Sequence, residues 1–271
     1  MLGRAWTALL AARGYTATAL GRQVCDLCKR QDIHAAVDGS HACVINCAAF
    51  SDVDAAESDF EQADLVNGQG VGVLARRCAQ VATLLVHFST DYVFNGRAQM
   101  PYSTDQYLDP VNAYGRSKAN GERLLRSSSC RFLLVRTSWL YAPWAKNFVR
   151  TIAQMAERGQ TMRIVDDQKG RPTSAEHLAR STLTLIERGD TATWHVTDGG
   201  ACTWYELACQ IVRRVNPQCP VEPCNSHHFA RPAKRPSYSV LNITQTEAAI
   251  GPMRPWQENL AAVLDRLGSM Q

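Results

Sequence analysis

The chain has 271 residues, 45% hydrophobic and 20% charged, which suits one globular unit or two small lobes around a sizeable core. Its 29 Lys and Arg against 25 Asp and Glu leave +4, and the cations are scattered rather than gathered in a stripe, which argues against a nucleic-acid or membrane-surface partner. No apolar run approaches the roughly 18 residues of a membrane span, and Arg4 and Arg13 bracket too short a stretch for a signal peptide, so a cytoplasmic location is expected.

Leu2, Trp6, Leu9 and Leu10 recur at helical spacing and predict a helix over 2–13, stopped by Gly14. Residues 15–20 read as a short strand and 43–48 (CVINCA) as a second, apolar enough to be buried on both faces. A helical pattern over 61–80, a strand over 83–89, a helix over 114–126 and a strand over 131–137 follow. Such alternation predicts an α/β fold with a doubly wound parallel sheet. Beyond Ser138 come helices near 147–158, 175–188 and 203–215 and strands near 162–165 and 193–197. Most of the eleven prolines fall after Asn216, so the last third is expected to be loop-rich. The expected division is a nucleotide-binding lobe over 1–138, with further elements from about 160–198, and a smaller α+β substrate lobe mainly over 139–271, interleaved with the first.

Ten cysteines without a secretion signal read as small buried hydrophobes. Cys25 and Cys28 form one C-x-x-C with no second pair at zinc-ribbon spacing, and Cys219, Cys224, His227 and His228 match no metal-ligand pattern, so no metal site is assigned.

The sharpest chemical signal is Tyr114-Gly-Arg-Ser-Lys118. On a helix the two side chains share a face and can share a ligand. A nearby ammonium would lower the phenol's pKa and fit Tyr114 for proton transfer at a carbonyl or alcohol oxygen. Ser89-Thr90-Asp91 leaves the end of a predicted strand, where open α/β sheets bind ligands. Asn46-Cys47-Ala48-Ala49 ends the preceding strand, with small residues where a cofactor must approach the backbone.

These three segments resemble the extended short-chain dehydrogenases/reductases. The blocks HFSTDYVFNG (87–96), AYGRSKANGE (113–122), RTSWLYAPWAKNFV (136–149) and DDQKGRPTSAEHLA (166–179) resemble the dTDP-4-dehydrorhamnose reductases more narrowly. So do NCAAFSDVDAAES (46–58) and RPSYSVLNITQ (235–245), and all six run in order over nearly the whole chain. The resemblance implies a Rossmann-type fold that reduces the 4-keto group of dTDP-4-dehydrorhamnose to dTDP-L-rhamnose. It makes Thr90, Tyr114 and Lys118 catalytic, with Tyr114 and Lys118 also touching the nicotinamide ribose. It places Trp139, Asp91, Thr90 and Val53 at substrate positions. It also implies a homodimer, with Mg²⁺ in some members through ligands that cannot be matched here. Two other readings stay open: another sugar-nucleotide reductase or epimerase of the same family, and a non-catalytic subunit resembling the regulatory subunit of methionine adenosyltransferase.

Leu20-Gly21-Arg22 would end the second Rossmann strand with a guanidinium and no carboxylate, which favours NADPH and leaves NADH as the alternative. By family position Asp26 and Leu27 lie near the adenine, and Ala48, Ala49, Phe50 and Ser51 along the pyrophosphate and nicotinamide ribose. Met1-Leu2-Gly3 reads as the end of G-x-x-G-x-x-G, with Gly3 its third glycine. The first strand and two glycines, roughly ten residues, have no counterpart. The expectation is therefore that Met1 is an internal methionine and that the reading frame continues upstream.

Overall fold

In the structure, a computed structural model that describes residues 1–268, the opening apolar pattern forms helix α1 (Leu2–Ala12), and Gly14 turns the chain away with φ +74°. Helix α2 (Arg30–Ala36) leads to strand β1 (Cys43–Asn46). Helices α3 (Ala55–Ser58) and α4 (Phe60–Asp64) follow, and α4 runs through one π turn (Leu65–Gln69) into α5 (Gly70–Gln80). Strand β2 (Leu84–Thr90) is buried at every residue. Helix α6 (Ala113–Arg126), strands β3 (Phe132–Thr137) and β4 (Leu140–Tyr141), and helix α7 (Phe148–Glu157) come next. The chain continues through β5 (Met162–Val165), β6 (Lys169–Gly170), β7 (Thr173–Ser174), α8 (Ala175–Glu187) and β8 (Ala192–His195). It ends with β9 (Cys202–Thr203), α9 (Trp204–Val215), β10 (Val221–Cys224), α10 (Thr244–Ile250) and α11 (Trp256–Gly268).

The main sheet is parallel in the order β1-β2-β3-β8. Side chains alternate across it. Leu84, Val86, Phe88, Leu133 and Val135 pack on one face with Leu2 and Trp6 of α1 and Leu178 of α8. Leu85 and Leu134 pack on the other with Ile33 of α2, Leu74 of α5 and Leu125 of α6. Helices on both faces explain why β2 and β3 read as unbroken apolar runs. A separate core joins α7, α9 and α11 through Val149, Ile152, Leu207, Ile211, Leu260 and Val263. Side-chain caps set the helix starts that matter below: Asn112 accepts from the N–H of Gly115, and Thr203 with Glu206 forms a capping box on α9.

Three expectations are corrected here. Residues 15–20 form no strand and are exposed throughout. A strand exists through its ladder, and no other strand lies beside this segment to supply one. For the same reason β1 is an edge strand, and Cys43, Val44 and Ile45 are half-buried rather than enclosed on both faces. The proline-rich last third also carries two helices, α10 and α11, where loops were expected.

Glu122 on α6 and Arg136 on β3 form a fully buried two-point ion pair, with Nε to Oε1 at 2.9 Å and Nη2 to Oε2 at 2.7 Å. The same guanidinium donates to the Thr104 carbonyl, meets His195 Nε2 of β8 at 3.2 Å and lies 5.1 Å from the Phe94 ring centroid. Breaking such a pair from one side strands a buried charge. Glu122→Leu is therefore expected to cost about 3–5 kcal/mol in denaturant unfolding, and Glu122→Leu with Arg136→Met to recover most of it. Equal losses in the single and double variants would show that the pair is not the cause.

Candidate active site

Strand β2 and helix α6 build the centre of the site. Thr90 is the last residue of β2, and its hydroxyl donates to Asp91 Oδ1 at 2.9 Å while accepting from the N–H of Tyr92 at 3.1 Å. Tyr114 and Lys118 stand one helical turn apart on α6, as their spacing predicts. The start of α6 approaches this segment so closely that a side chain on Gly115 would collide with the Tyr92 carbonyl. The Tyr92 and Tyr114 rings meet edge to face at 6.1 Å. Thr90, Asp91, Tyr114 and Lys118 are thus gathered at the carboxyl end of a central strand.

Burial governs their charges. Lys118 is 2% exposed, and its Nζ donates to the Phe88 carbonyl at 2.6 Å. Desolvation pushes its pKa down to about 8, against the pull of Glu122 one turn further on. Asp91 is pushed up to about 6 by desolvation, opposed by the hydroxyls of Ser239 and Thr90. Tyr114 is pushed up to about 12 by desolvation and then by the Asp91 charge, with Thr90 opposing. The expected lowering of the Tyr114 pKa by Lys118 is therefore corrected: the ammonium is turned to the strand carbonyl, and burial decides the sign. His87, on the same strand, is driven well below its ordinary value by burial and by Lys118. Its Nδ1 meets the Asn46 amide at 3.1 Å, and Nε2 has no partner.

The remaining predicted residues are more dispersed. Ala48, Ala49 and Ser51 are exposed just beyond the carboxyl end of β1. Phe50 packs with Ala56, Ala63, Ala113 and Tyr114. Val53 is half-buried beside Asp54. Trp139 lies two residues beyond Thr137, the register partner of Thr90. At the start of α1, Met1 is exposed, Leu2 is buried in the sheet core, and a side chain on Gly3 would have only Cys47 near it, at 3.8 Å. No side chain caps this helix start. Free first-turn N–H groups, an open glycine and small residues at Ala48 and Ala49 leave room for a phosphate-bearing cofactor. Arg22 is 76% exposed in its side chain and pairs with Asp26 at 3.3 Å, yet it does not end a strand, because no strand forms there. Leu27 is buried among Ile33, Val37 and Val71 and faces the core.

Several supporting residues escape a reading by motif. Asn67, in the π turn, exchanges two 2.9 Å hydrogen bonds with the Phe50 backbone and donates to Ser117 Oγ on α6 at 3.0 Å. Glu57 accepts from the N–H of Ala113 at 2.8 Å. Asn112 donates to the Lys234 carbonyl, and Asp54 accepts from Arg235 and from the N–H of Ala233, so the 231–235 segment is tied to the site. Asn67 offers the one available signal, a polar residue on the buried face of a helical run. Among the described residues no group of three or more His, Cys, Asp or Glu could hold a metal ion, and none of the helices is long and apolar enough to cross a membrane. All ten cysteines are free thiols.

Comparison with known proteins agrees with this arrangement. The dTDP-4-dehydrorhamnose reductase of Streptomyces griseus is 38% identical over 281 aligned positions, covering 99% of this chain and 92% of that protein. The dTDP-4-keto-6-deoxy-D-glucose reductase of Streptomyces niveus is 36% identical, covering 99% and 95%. The crystal structure of dTDP-4-dehydrorhamnose reductase from Bacillus anthracis in complex with NADP superposes with a TM-score of 0.94 at 30% identity, covering 98% of this chain and 95% of that one. Residues 1–269 match the RmlD substrate binding domain family, and with a parallel Rossmann-type sheet that ends at Thr90 and the helix beside it that carries Tyr114 and Lys118, the chain belongs to that family.

Proposed function

We propose that the protein reduces the 4-keto group of dTDP-4-dehydrorhamnose to give dTDP-L-rhamnose, with NADPH as reductant. The observation that carries this reading is the cluster of buried Thr90, Asp91 and Lys118 with half-buried Tyr114 at the end of β2. When bound, NADPH would supply the hydride to C4. Tyr114 then has to protonate the oxygen. A phenol held at about 12 is fully protonated at neutral pH, which is the form a reductase needs, and an alkoxide is basic enough to take its proton. Thr90 presents a hydroxyl already oriented by Asp91, so it can steer the carbonyl oxygen without reorganising. Lys118 spends one donor on Phe88 and has two left for ribose hydroxyls. Arg22 is assigned to the 2′-phosphate, and Trp139, Asp91 and Val53 to the sugar. The lobe that holds the cofactor is assigned to 1–138 with elements from about 160–198, and the substrate lobe mainly to 139–271.

The Streptomyces niveus relative is named for a different keto sugar, which favours a second reading in which another dTDP-4-keto sugar is reduced at the same centre. Loss of NADPH absorbance on a panel of dTDP-4-keto sugars tests both. Turnover is expected with dTDP-4-dehydrorhamnose, and no turnover with any member would overturn the proposal.

Tyr114→Phe removes the proton and keeps the ring, so turnover should fall at least a hundredfold while NADPH affinity changes little. Activity within tenfold of wild type would remove Tyr114 from the mechanism. Lys118→Met should damage both turnover and NADPH binding.

Arg22→Asp reverses the charge at the 2′ position. A charge-assisted contact is worth about 1.5–3 kcal/mol, so the NADPH to NADH preference should move at least tenfold towards NADH. An unchanged ratio would show that another group reads the phosphate.

Asp91 gives a pH-dependent prediction. Its folded-state pKa of about 6 lies above the unfolded 3.8, so the fold holds this proton tightly and loses stability as pH rises between the two values. Above them the buried carboxylate costs about 3 kcal/mol at 1.36 kcal/mol per pKa unit. Asp91→Asn should therefore be more resistant to denaturant than wild type near pH 8, with the difference vanishing below about pH 4, while turnover falls. A less stable variant near pH 8 would show the carboxylate to be stabilising.

A further inference from the structure

Trp139 is held in an unusual way. It follows β3 with φ +47°, in the left-handed region, which costs a tryptophan about 1–3 kcal/mol and persists only where the surroundings impose it. Its carbonyl accepts from the N–H of Thr173 at 3.2 Å, and the neighbouring Ser138 hydroxyl donates to the Arg171 carbonyl at 2.7 Å. Its ring lies flat on Trp204, with centroids 3.6 Å apart and planes 8° apart. Gly170 presses on the same indole: a side chain there would fall 2.5 to 2.8 Å from three of its ring atoms.

The elements that bring these residues together are otherwise small. Antiparallel pairing of β6 with β9 sets Gly170 opposite Cys202 and Lys169 opposite Thr203. Trp204 comes next, as the first residue of α9, fixed by the Thr203–Glu206 capping box and by the Thr203 hydroxyl on Asp166 at 2.5 Å. Phe148 of α7 backs Trp204 at 4.6 Å. A two-residue ribbon and a capped helix start thus converge on the Trp139 indole, with Phe148 behind Trp204. That indole stands two residues from the register partner of Thr90, at the carboxyl edge of the sheet where ligands bind.

We propose that Trp204 is a positioning residue for the sugar site: it clamps Trp139 face to face, fixes the edge that the indole offers to the sugar, and thereby sets sugar affinity without acting on the cofactor. The proposal rests on the sugar-nucleotide reading above. Trp204→Ala should raise KM for the dTDP-4-keto sugar and Kd for dTDP-L-rhamnose about tenfold, equivalent to about 1.4 kcal/mol, with KM for NADPH unchanged. The far-ultraviolet exciton couplet of two stacked indoles, expected in the wild type, should disappear. Trp204→Phe, which keeps a flat ring, should also lose the couplet yet recover most of the affinity. Should Trp204→Ala fail to fold, Gly170→Ala displaces Trp139 from its other contact and should weaken sugar affinity alone. A lost couplet with unchanged sugar affinity, equal losses for sugar and NADPH, or a wild type without the couplet would each overturn the clamp. Wild-type protein that neither turns over the sugar nor binds dTDP-L-rhamnose would overturn the function itself and the clamp with it. Wild-type turnover with an unaffected Trp204→Ala variant would overturn the clamp alone.

Discussion

The ion pair between Glu122 and Arg136 fixes where helix α6 sits. Glu122 lies one turn beyond Lys118 and two beyond Tyr114, so the carboxylate that grips β3 stands on the same stripe of α6 as those two side chains. A buried pair of this kind contributes little beyond what apolar residues of equal volume would. What its two parallel bonds supply is direction, since they set both the height and the rotation of α6 against the sheet. Arg136 extends this hold to β8 through His195 and to the 91–108 segment through Thr104 and Phe94, so one guanidinium gathers four parts of the fold. Glu122 also acts electrostatically, supporting the ammonium of Lys118 against the desolvation that depletes it.

Around that frame the buried ionisable groups are pushed towards neutrality. Lys118 and His87 move down, and Asp91 and Tyr114 move up. This is the pattern of a site whose water has been displaced by protein. Asp91 illustrates the trade. It is enclosed, one of its oxygens lacks a partner, and the fold tolerates a destabilising carboxylate where the Thr90 hydroxyl needs an acceptor. Tyr114 keeps its proton in the same environment, because desolvation favours the neutral phenol.

Local pattern carried much of this into the sequence. Tyr114 and Lys118 are one turn apart in any helix, and the apolar runs of β2 and β3 admit only a strand covered on both faces. What escaped depends on neighbours far away in the chain. Residues 15–20 have a strand's composition, but pairing makes a strand, and β1 is bonded on one side only. The sign of the Tyr114 shift turned on where the Lys118 ammonium points. Trp204 gave no signal because its contact with Trp139 is made by a ribbon of two residues on each side, too short for any periodicity. Helix α11 was hidden by Pro252 and Pro255 just before it.

The π turn between α4 and α5 has a consequence for how this chain can change over generations. Such a turn accommodates one residue more than regular helix does, and here that slack aims Asn67 at the Phe50 backbone and at Ser117. It also brings the Asn67 carbonyl so close to α6 that a side chain on Gly121 would collide with it. Losing a single residue from 65–69 would regularise the helix and remove that slack, so the turn could no longer present Asn67 to both the Phe50 backbone and Ser117. Substitutions on the outer face of this helix are cheap by comparison. The gene can therefore drift in letter along the outer face of this stretch more freely than in length, and alignments of the family should show this segment free of gaps wherever Asn67 is kept.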